Sequence, residues 1–455
     1  MSMRSVNPKS GELLGEFPHE TDRSIEQAID TADRTFAAER RTPFRDRADR
    51  MNRLADLLDE DRKRLSRLLT DEMGKTLAAA VAEVEKCAWV CRYYADHAEA
   101  MLADEEQASD ARTRRAVVHL PLGPVLAVMP WNFPFWQVFR FAAPAVMAGN
   151  VVLLKHASNV PQAALALQDL FAEAGFAPGV FRSLLIGPDL VEPVLEDRRI
   201  RAATVTGSVR AGTAVARAAG AFAKKTVLEL GGSDPFIVLP SADLDRAVDA
   251  AVAARTINNG QSCIAAKRFI VHADIYAAFT ERLVRRFEAL AVGDPVDEAT
   301  DLGPLAMERL RDRLSGQVES LMERGAERLT GARAMDGPGY FFAPGVLAGI
   351  DDAAAPFDEE LFGPVAWLLR VSTFGEAIER ANQTQYGLGS SIWTREPQEI
   401  DRAVREIDAG STFVNCMVKS EPGLPFGGVK QSGYGRELAR DGILEFVNRK
   451  TVVVD

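Results

Sequence analysis

Metal-ligating and thiol side chains are scarce in this chain: its 455 residues include four cysteines and five histidines. Cys87, Cys91, Cys263 and Cys416 fall into no metal-ligand spacing with the scattered histidines, so no metal site is expected. Basic charge is in deficit, with 54 Lys and Arg against 65 Asp and Glu and a net charge of -11. No run of Lys or Arg offsets the repulsion a phosphate backbone would meet, which argues against nucleic acid as a partner. Long hydrophobic runs are missing too. The longest, residues 141–154, is broken by Pro144, Gly149 and Asn150 and falls short of the roughly 20 residues a membrane span needs. The opening "MSMRSVNPKSGELLGEF" has no apolar stretch of the signal-peptide kind. The expectation is a soluble cytoplasmic protein with reduced thiols, three of the four buried.

What is present is ordinary in bulk, 47 % hydrophobic and 26 % charged, but too long for one hydrophobic core, so two or three units are expected. The first third reads as helices. Ile25, Ala28, Ile29, Ala32 and Phe36 recur at helical spacing, as do Leu54, Leu57, Leu58, Leu65, Leu68 and Leu69. Cys87 and Cys91, four apart, share a helix face. From about residue 116 short apolar runs alternate with helical segments. "NVVLLK", "FRSLLIG", "AATVTG" and "KTVLELGG" read as strands buried on both faces. Pro161 opens one intervening helix and Gly175 closes it. After Gly232 the alternation restarts with "DPFIVL" and "KRFIVH" and runs to about Phe413. The fold class is therefore α/β, with two parallel-sheet, Rossmann-like units whose ligands bind at the carboxyl ends of the strands. "RRAVVHL" and "RKTVVVD" fit neither sheet and suggest a β arm that pairs with another subunit.

Four places could carry chemistry. Cys263 follows the polar turn "NNGQS", a context that suits an exposed elbow better than a core strand. A nucleophilic thiol there would need a helix N-terminus or a base to lower its pKa, and the alternative is a buried cysteine of no chemical consequence. Glu229 ends the strand in "LELGG", where burial would raise its pKa toward that of a general base; a strand-end glutamate in water is the alternative. Asn132 lies among aromatics in "PWNFPFW", so its side-chain amide is a candidate oxyanion donor. A G-x-G-x-x-G fingerprint is absent. In its place "TGSVRAG" puts Gly207 and Ser208 between a strand and a helix N-terminus, a weak pyrophosphate signal, and Lys155 ends another strand within reach of a ribose.

Taken in order, "PWNFP", "TGS", "LELGG", "GQSC", "EELFGPV" and "LPFGGVKQSGYGRE" resemble the aldehyde dehydrogenase superfamily over nearly the whole chain. The resemblance implies a cofactor-binding domain (1–110 and 122–231), a catalytic domain (232–424) and an oligomerisation arm (111–121 and 436–455) in a homodimer or homotetramer. It implies Cys263 as nucleophile, Asn132 and the Cys263 backbone N–H as oxyanion donors, and Glu229 as the base that activates water. Acyl-transferring relatives usually lack that glutamate, so a carboxylic acid product is expected. Glu360 matches the nicotinamide-ribose ligand, with Phe362 beside the ring. Trp131 and Lys155 match adenosine-side positions, and Gly207 and Ser208 the pyrophosphate turn. Strict NAD users often carry a Glu three residues past the lysine. Ser158 stands there, so NADP is expected to be accepted and preferred, with NAD also used.

"KHASNVPQ" with "GLPFGGVKQSGYGREL" is most similar to the compact succinate-semialdehyde-oxidising members. Arg140 matches their carboxylate-binding arginine, unless it makes a structural salt bridge, and Ser420 could add a hydrogen bond. Some relatives carry a second arginine six residues before the cysteine and a partner cysteine two residues after it. Here Ile257 and Ala265 occupy those positions. The first weakens the acidic-substrate reading and the second excludes a regulatory disulfide. Oxidation of an uncharged aliphatic or aromatic aldehyde is the runner-up, a cysteine hydrolase without nucleotide belongs to a different class, and a non-enzymatic structural role would be expected to relax the catalytic residues.

Overall fold

A computed structural model of the chain describes residues 2–107, 113–349 and 358–455. The first alternating segment forms a six-stranded sheet in the order Gly433–Tyr434, Lys225–Glu229, Ala202–Thr206, Pro124–Met129, Val151–His156, Phe181–Ser183. Its five longer-range neighbours in sequence run parallel, and Gly433–Tyr434 is added antiparallel at the edge. The connections leave Pro124–Met129 in opposite directions on its two sides, so the sheet reverses between that strand and Ala202–Thr206. A doubly wound sheet opens a crevice at such a reversal, beyond the carboxyl ends of the two strands. The segments that leave those ends are "PWN" and "GS".

The second sheet has seven strands, in the order Glu327–Thr330, Gly345–Ala348, Val365–Val371, Ala266–His272, Asp234–Val238, Gly389–Trp393, Ser411–Val414. All pairs are parallel except the first. Alternate residues feed two separate apolar layers: Ile237, Leu239 and Ile270 on one face, Phe236, Val238, Phe269 and Val271 on the other. That two-sided burial is why these runs read as continuously apolar.

The helical first third packs on the first sheet and shares its core. Helices Asp22–Glu39, Phe44–Glu60, Arg62–Met73 and Leu77–Met101 bury the expected stripes, including Ile29, Leu54, Leu58, Leu65 and Leu69. A hairpin of Ser2–Val6 with Leu13–Pro18 precedes them, which the mixed polar sequence did not announce, and "FRSLLIG" is strand only over Phe181–Ser183. The two strands that fitted neither sheet pair with one another: Arg114–Pro121 runs antiparallel to Val447–Val454, with Glu105–Glu106 on the far side. Val447–Val454 is the free edge, and Val453 and Val454 are exposed on it. The boundary expected at 110/111 lies outside the described residues. Cys87 and Cys91 are fully buried, whereas Cys416 is exposed, against expectation, because it follows the edge strand Ser411–Val414 into a loop.

Candidate active site

The cysteine loop is held by backbone geometry that only a few side chains tolerate. Asn258 and Asn259 have φ of 55° and 57°, the left-handed region that Asn enters more readily than other non-glycine residues. Gly260 follows at φ 74°, and a Cβ there would lie 2.3 Å from the Gly363 carbonyl carbon. Asn259 anchors the turn: its amide donates to the carbonyls of Gly74 and Pro304, each at 3.0 Å, and its oxygen accepts the Gly303 N–H at 3.0 Å. The Lys267 ammonium donates to the carbonyls of Ser262 (2.8 Å) and Cys263 (2.6 Å). A loop pinned at this many points holds its sulfur in one place.

Cys263 is partly buried rather than exposed. Burial pushes its thiol up to about 11, against a pull downward from Arg140 and Lys267. No helix follows to activate it, since strand Ala266–His272 comes next, and among the described residues no histidine lines either adjoining cavity. The resting sulfur is a thiol, and its ionisation depends on the cations near it and on what enters the site.

Cys263 sits where two cavities meet. The larger, about 400 Å3, is the crevice of the first sheet. Trp131, Lys155, Gly207, Ser208, Glu360 and Phe362, the candidate cofactor residues, line it together with Asn132. Ser208 caps helix Val209–Ala221, accepting from the Ala211 N–H, so the helix N-terminus opens on the crevice beside Gly207. Glu360 is held by Lys267 at 3.2 Å and by the Gly232 N–H at 3.3 Å. A Cβ on Gly231 would lie 2.8 Å from the Glu360 carboxylate, so the first glycine of "LELGG" makes room for it. Trp131 and Phe362 meet edge to face at 5.7 Å. Ser158 is the exception: it is exposed, one residue beyond the lining Ala157. Sequence reasoning missed Arg210, Arg309 and Arg313, which also line the crevice. Arg210 was legible as the second residue of the helix behind the Gly-Ser turn; the other two lie on Glu308–Glu323, far along the chain. A polar, cation-lined crevice with a helix N-terminus fits a dinucleotide.

The smaller cavity, about 200 Å3, has Phe133, Trp136, Ile257, Ile264 and Phe426 as apolar walls, with Arg140, Lys86 and Ser420 among its polar groups. Asn132 is buried, and its side-chain amide donates to the Gln261 carbonyl at 3.0 Å, which leaves one N–H for another acceptor. Among the described residues the Cys263 N–H donates to no backbone carbonyl. Glu229 ends its strand as expected but lines neither cavity. Its buried carboxylate makes no hydrogen bond among the described residues, and a Cβ on Gly427 would lie 2.7 Å from it. Burial pushes its pKa well up, opposed by the charge of Arg140 and assisted by that of Glu437. Arg140, at the middle of helix Trp136–Met147, is ion-paired with Glu437 and lies over the Phe426 ring at 4.6 Å. The structural salt bridge is real, and the arginine reaches the cavity as well.

A family model, the aldehyde dehydrogenase family, matches residues 1–452. The chain belongs to the aldehyde dehydrogenase family. It is 53 % identical to succinate-semialdehyde dehydrogenase [NADP(+)] 1 of Mycobacterium tuberculosis, over 99 % of both chains. It is 50 % identical to a probable succinate-semialdehyde dehydrogenase [NADP(+)] of Synechocystis, again over 99 % of both. Among solved structures, the succinic semialdehyde dehydrogenase of Streptococcus pyogenes in complex with NADP+ superposes with a TM-score of 0.96 at 36 % identity, covering 99 % of each chain.

In this aldehyde dehydrogenase the loop that carries Asn132 is steadied from outside the crevice. Glu83, buried and ion-paired with Lys75, accepts the N–H groups of Phe135 (2.8 Å) and Trp136 (2.9 Å), which fixes the first turn of the Arg140 helix. His156 holds the other side. Its Nε2 lies 2.8 Å from the Pro134 carbonyl and its Nδ1 accepts the Ala157 N–H at 2.9 Å, so the neutral Nε2–H tautomer is the one that fits. Burial lowers its pKa from 6.5 to about 4. Between those values the unfolded chain takes up a proton that the folded one refuses. Stability therefore falls with pH across that window, by about 1.4 kcal/mol per unit and about 3 kcal/mol in all. Urea unfolding of wild type and His156→Gln from pH 7.5 to 4 measures this, and a wild-type midpoint no steeper in pH than the variant's rules it out.

Proposed function

We propose that the chain oxidises succinate semialdehyde, or a short aldehyde of the same acid-bearing kind, to the carboxylic acid, with NADP preferred over NAD. The observation that carries this reading is that Cys263 borders both cavities: an apolar one of substrate size that ends in cations, and a crevice that suits a dinucleotide. The names of the relatives support the same substrate and cofactor.

Cys263 gives up its thiol proton to solvent, and Sγ as thiolate attacks the aldehyde carbon, the carbonyl π electrons moving onto oxygen to leave the thiohemiacetal as its oxyanion. The remaining N–H of the Asn132 amide and the Cys263 N–H hold the oxyanion. When bound, NADP supplies the hydride acceptor that turns the thiohemiacetal into a thioester. Glu229 then takes a proton from the water that hydrolyses the thioester, and the acid leaves. Trp131, Lys155, Gly207, Ser208, Glu360 and Phe362 hold the dinucleotide, Ser158 faces its 2′-phosphate at the rim, and Arg140 with Ser420 receives the substrate carboxylate. The enzyme is proposed to work as a cytoplasmic homo-oligomer that covers the free edge of Val447–Val454, with the domain division 1–110 and 122–231, 232–424, and an arm of 111–121 and 436–455.

The test is kcat/KM, read as absorbance at 340 nm, for succinate semialdehyde and butyraldehyde with each cofactor. NADP and the acidic aldehyde are expected to win. Ser158→Glu places a carboxylate against the 2′-phosphate and lowers the NADP:NAD ratio by about tenfold or more. A wild type that strongly prefers NAD defeats the cofactor assignment. Equal use of butyraldehyde returns the substrate to the uncharged class, which the apolar walls and Ile257 would also suit.

A further inference from the structure

Three cations line the substrate cavity, Lys86, Arg140 and Lys419, and their circumstances differ: Lys419 is ion-paired with Glu421. Arg140 already has a carboxylate partner in Glu437 and an aromatic face in Phe426. Lys86, on helix Leu77–Met101, has no ion-pair partner among the described residues. It is partly buried, lies over the Trp136 ring at 4.2 Å and donates to Ser420 Oγ at 3.0 Å. Every carboxylate close enough to influence it is engaged elsewhere: Glu83 with Lys75, Glu421 with Lys419. Cys87, next to it on the same helix, is a buried thiol whose pKa is pushed up, so it brings no charge. Arg140, from the helix opposite, repels it. A desolvated ammonium with a hydroxyl for company and no anion is an incomplete ion pair.

We propose that Lys86 determines specificity: the carboxylate of the substrate is its missing counter-ion. This rests on the acidic-substrate reading above. Ser420 accepts from Lys86, so its own proton remains free for the same carboxylate. Arg140 lends field to the end of the cavity, while the uncompensated charge that discriminates an acidic from a neutral aldehyde sits on Lys86. Helix Leu77–Met101 thereby becomes part of the substrate site, although the sequence motifs of the family all lie elsewhere. A consequence in pH follows. Burial and the repulsion of Arg140 bring Lys86 down to about 8 in the empty site, so its charge, and with it the preference for an acid, fades above that pH.

The experiment is the ratio of kcat/KM for succinate semialdehyde to that for butyraldehyde, from pH 6.5 to 9.5, in wild type, Lys86→Met and Lys86→Arg. The ratio is expected to fall by about 30-fold or more in Lys86→Met, chiefly through KM for the acid. Lys86→Arg is expected to recover much of it. In wild type the ratio falls above about pH 8; in Lys86→Met that limb is gone, and Lys86→Arg keeps a high ratio to the top of the range. A wild type with no preference for the acid overturns the substrate reading and this role together. A wild type that prefers the acid, beside a Lys86→Met variant that keeps the preference, overturns the role of Lys86 alone. If Lys86→Met does not fold, the wild-type and Lys86→Arg profiles decide: a ratio flat across pH 8 in both counts against the proposal.

Discussion

Cys263→Ala is expected to lose turnover by about 10,000-fold or more while still binding dinucleotide about as tightly as wild type. The two halves of that expectation come from different parts of the fold. The loop that carries Cys263 is shaped by Asn258, Asn259 and Gly260 and tied down by Lys267 through main-chain carbonyls. None of those contacts uses the sulfur, so removing Sγ leaves the loop and the crevice wall in place. The crevice is lined by residues that other elements supply, among them the Gly207–Ser208 turn, Lys155 and Glu360, and these are the proposed dinucleotide contacts. The reaction is a different matter. Without a thiol there is no covalent adduct to be oxidised, and among the described residues Gln137 is the other side chain that lines both cavities, which is no nucleophile. Absorbance at 340 nm with aldehyde and NADP reads the first half, and a fluorescence titration with NADP reads the second. Turnover near the wild-type level in the alanine variant would remove the central chemistry proposed for this chain.

The parts of the site that could be read in advance are those where one residue type answers one physical need. Strand ends that open on a doubly wound crevice could be placed because parallel strands are buried on both faces and read as unbroken apolar runs. Gly207, Ser208 and Lys155 followed from that placement, and Trp131 from the family resemblance. The left-handed pair Asn258–Asn259 was visible as a polar turn before Cys263. What stayed hidden depends on where distant segments meet. Lys86 and Ser420 are 334 residues apart and touch. Arg140 and Glu437 are an ion pair that spacing along the chain does not announce. Whether Arg140 was structural or functional was posed as a choice; the packing gives it an ion pair with Glu437 and a place in the cavity wall at once. The hairpin at Ser2–Val6 escaped because its buried positions are Met3 and the polar Ser5, so burial alternates where apolar character does not. The environment of Cys263 also differed from the reading of its turn: the polar residues around it face inward to hold main chain, and the thiol is partly buried with a raised pKa.

The second large effect concerns the other half of the cycle. Glu229→Gln is expected to keep the first turnover and lose the rest: a burst of NADPH near one equivalent per subunit, followed by a steady rate about 100- to 10,000-fold below wild type. The burst survives because acylation needs the sulfur, the oxyanion donors and the hydride acceptor, and Glu229 is none of these. Deacylation fails because the amide cannot accept a proton from water. The structure adds a constraint. The carboxylate lies against Gly427, outside both cavities and without a hydrogen bond, so it has to turn about its side-chain torsions to meet a water at the thioester. A bulkier residue than glycine at 427 would intrude on the resting position, which is why that stretch of "LPFGG" carries no side chain there. Burial and the neighbouring Glu437 hold the Glu229 proton on, while Arg140 works to release it. A base must be deprotonated to act, and its pKa is raised, so the wild-type steady rate climbs with pH until Glu229 has ionised; Glu229→Gln lacks that limb while its burst amplitude stays. Stopped-flow traces at 340 nm from pH 6 to 9 separate the two phases. A burst that disappears together with the steady rate would move Glu229 from hydrolysis to the attack of the thiol, and with it the order of events proposed for this site.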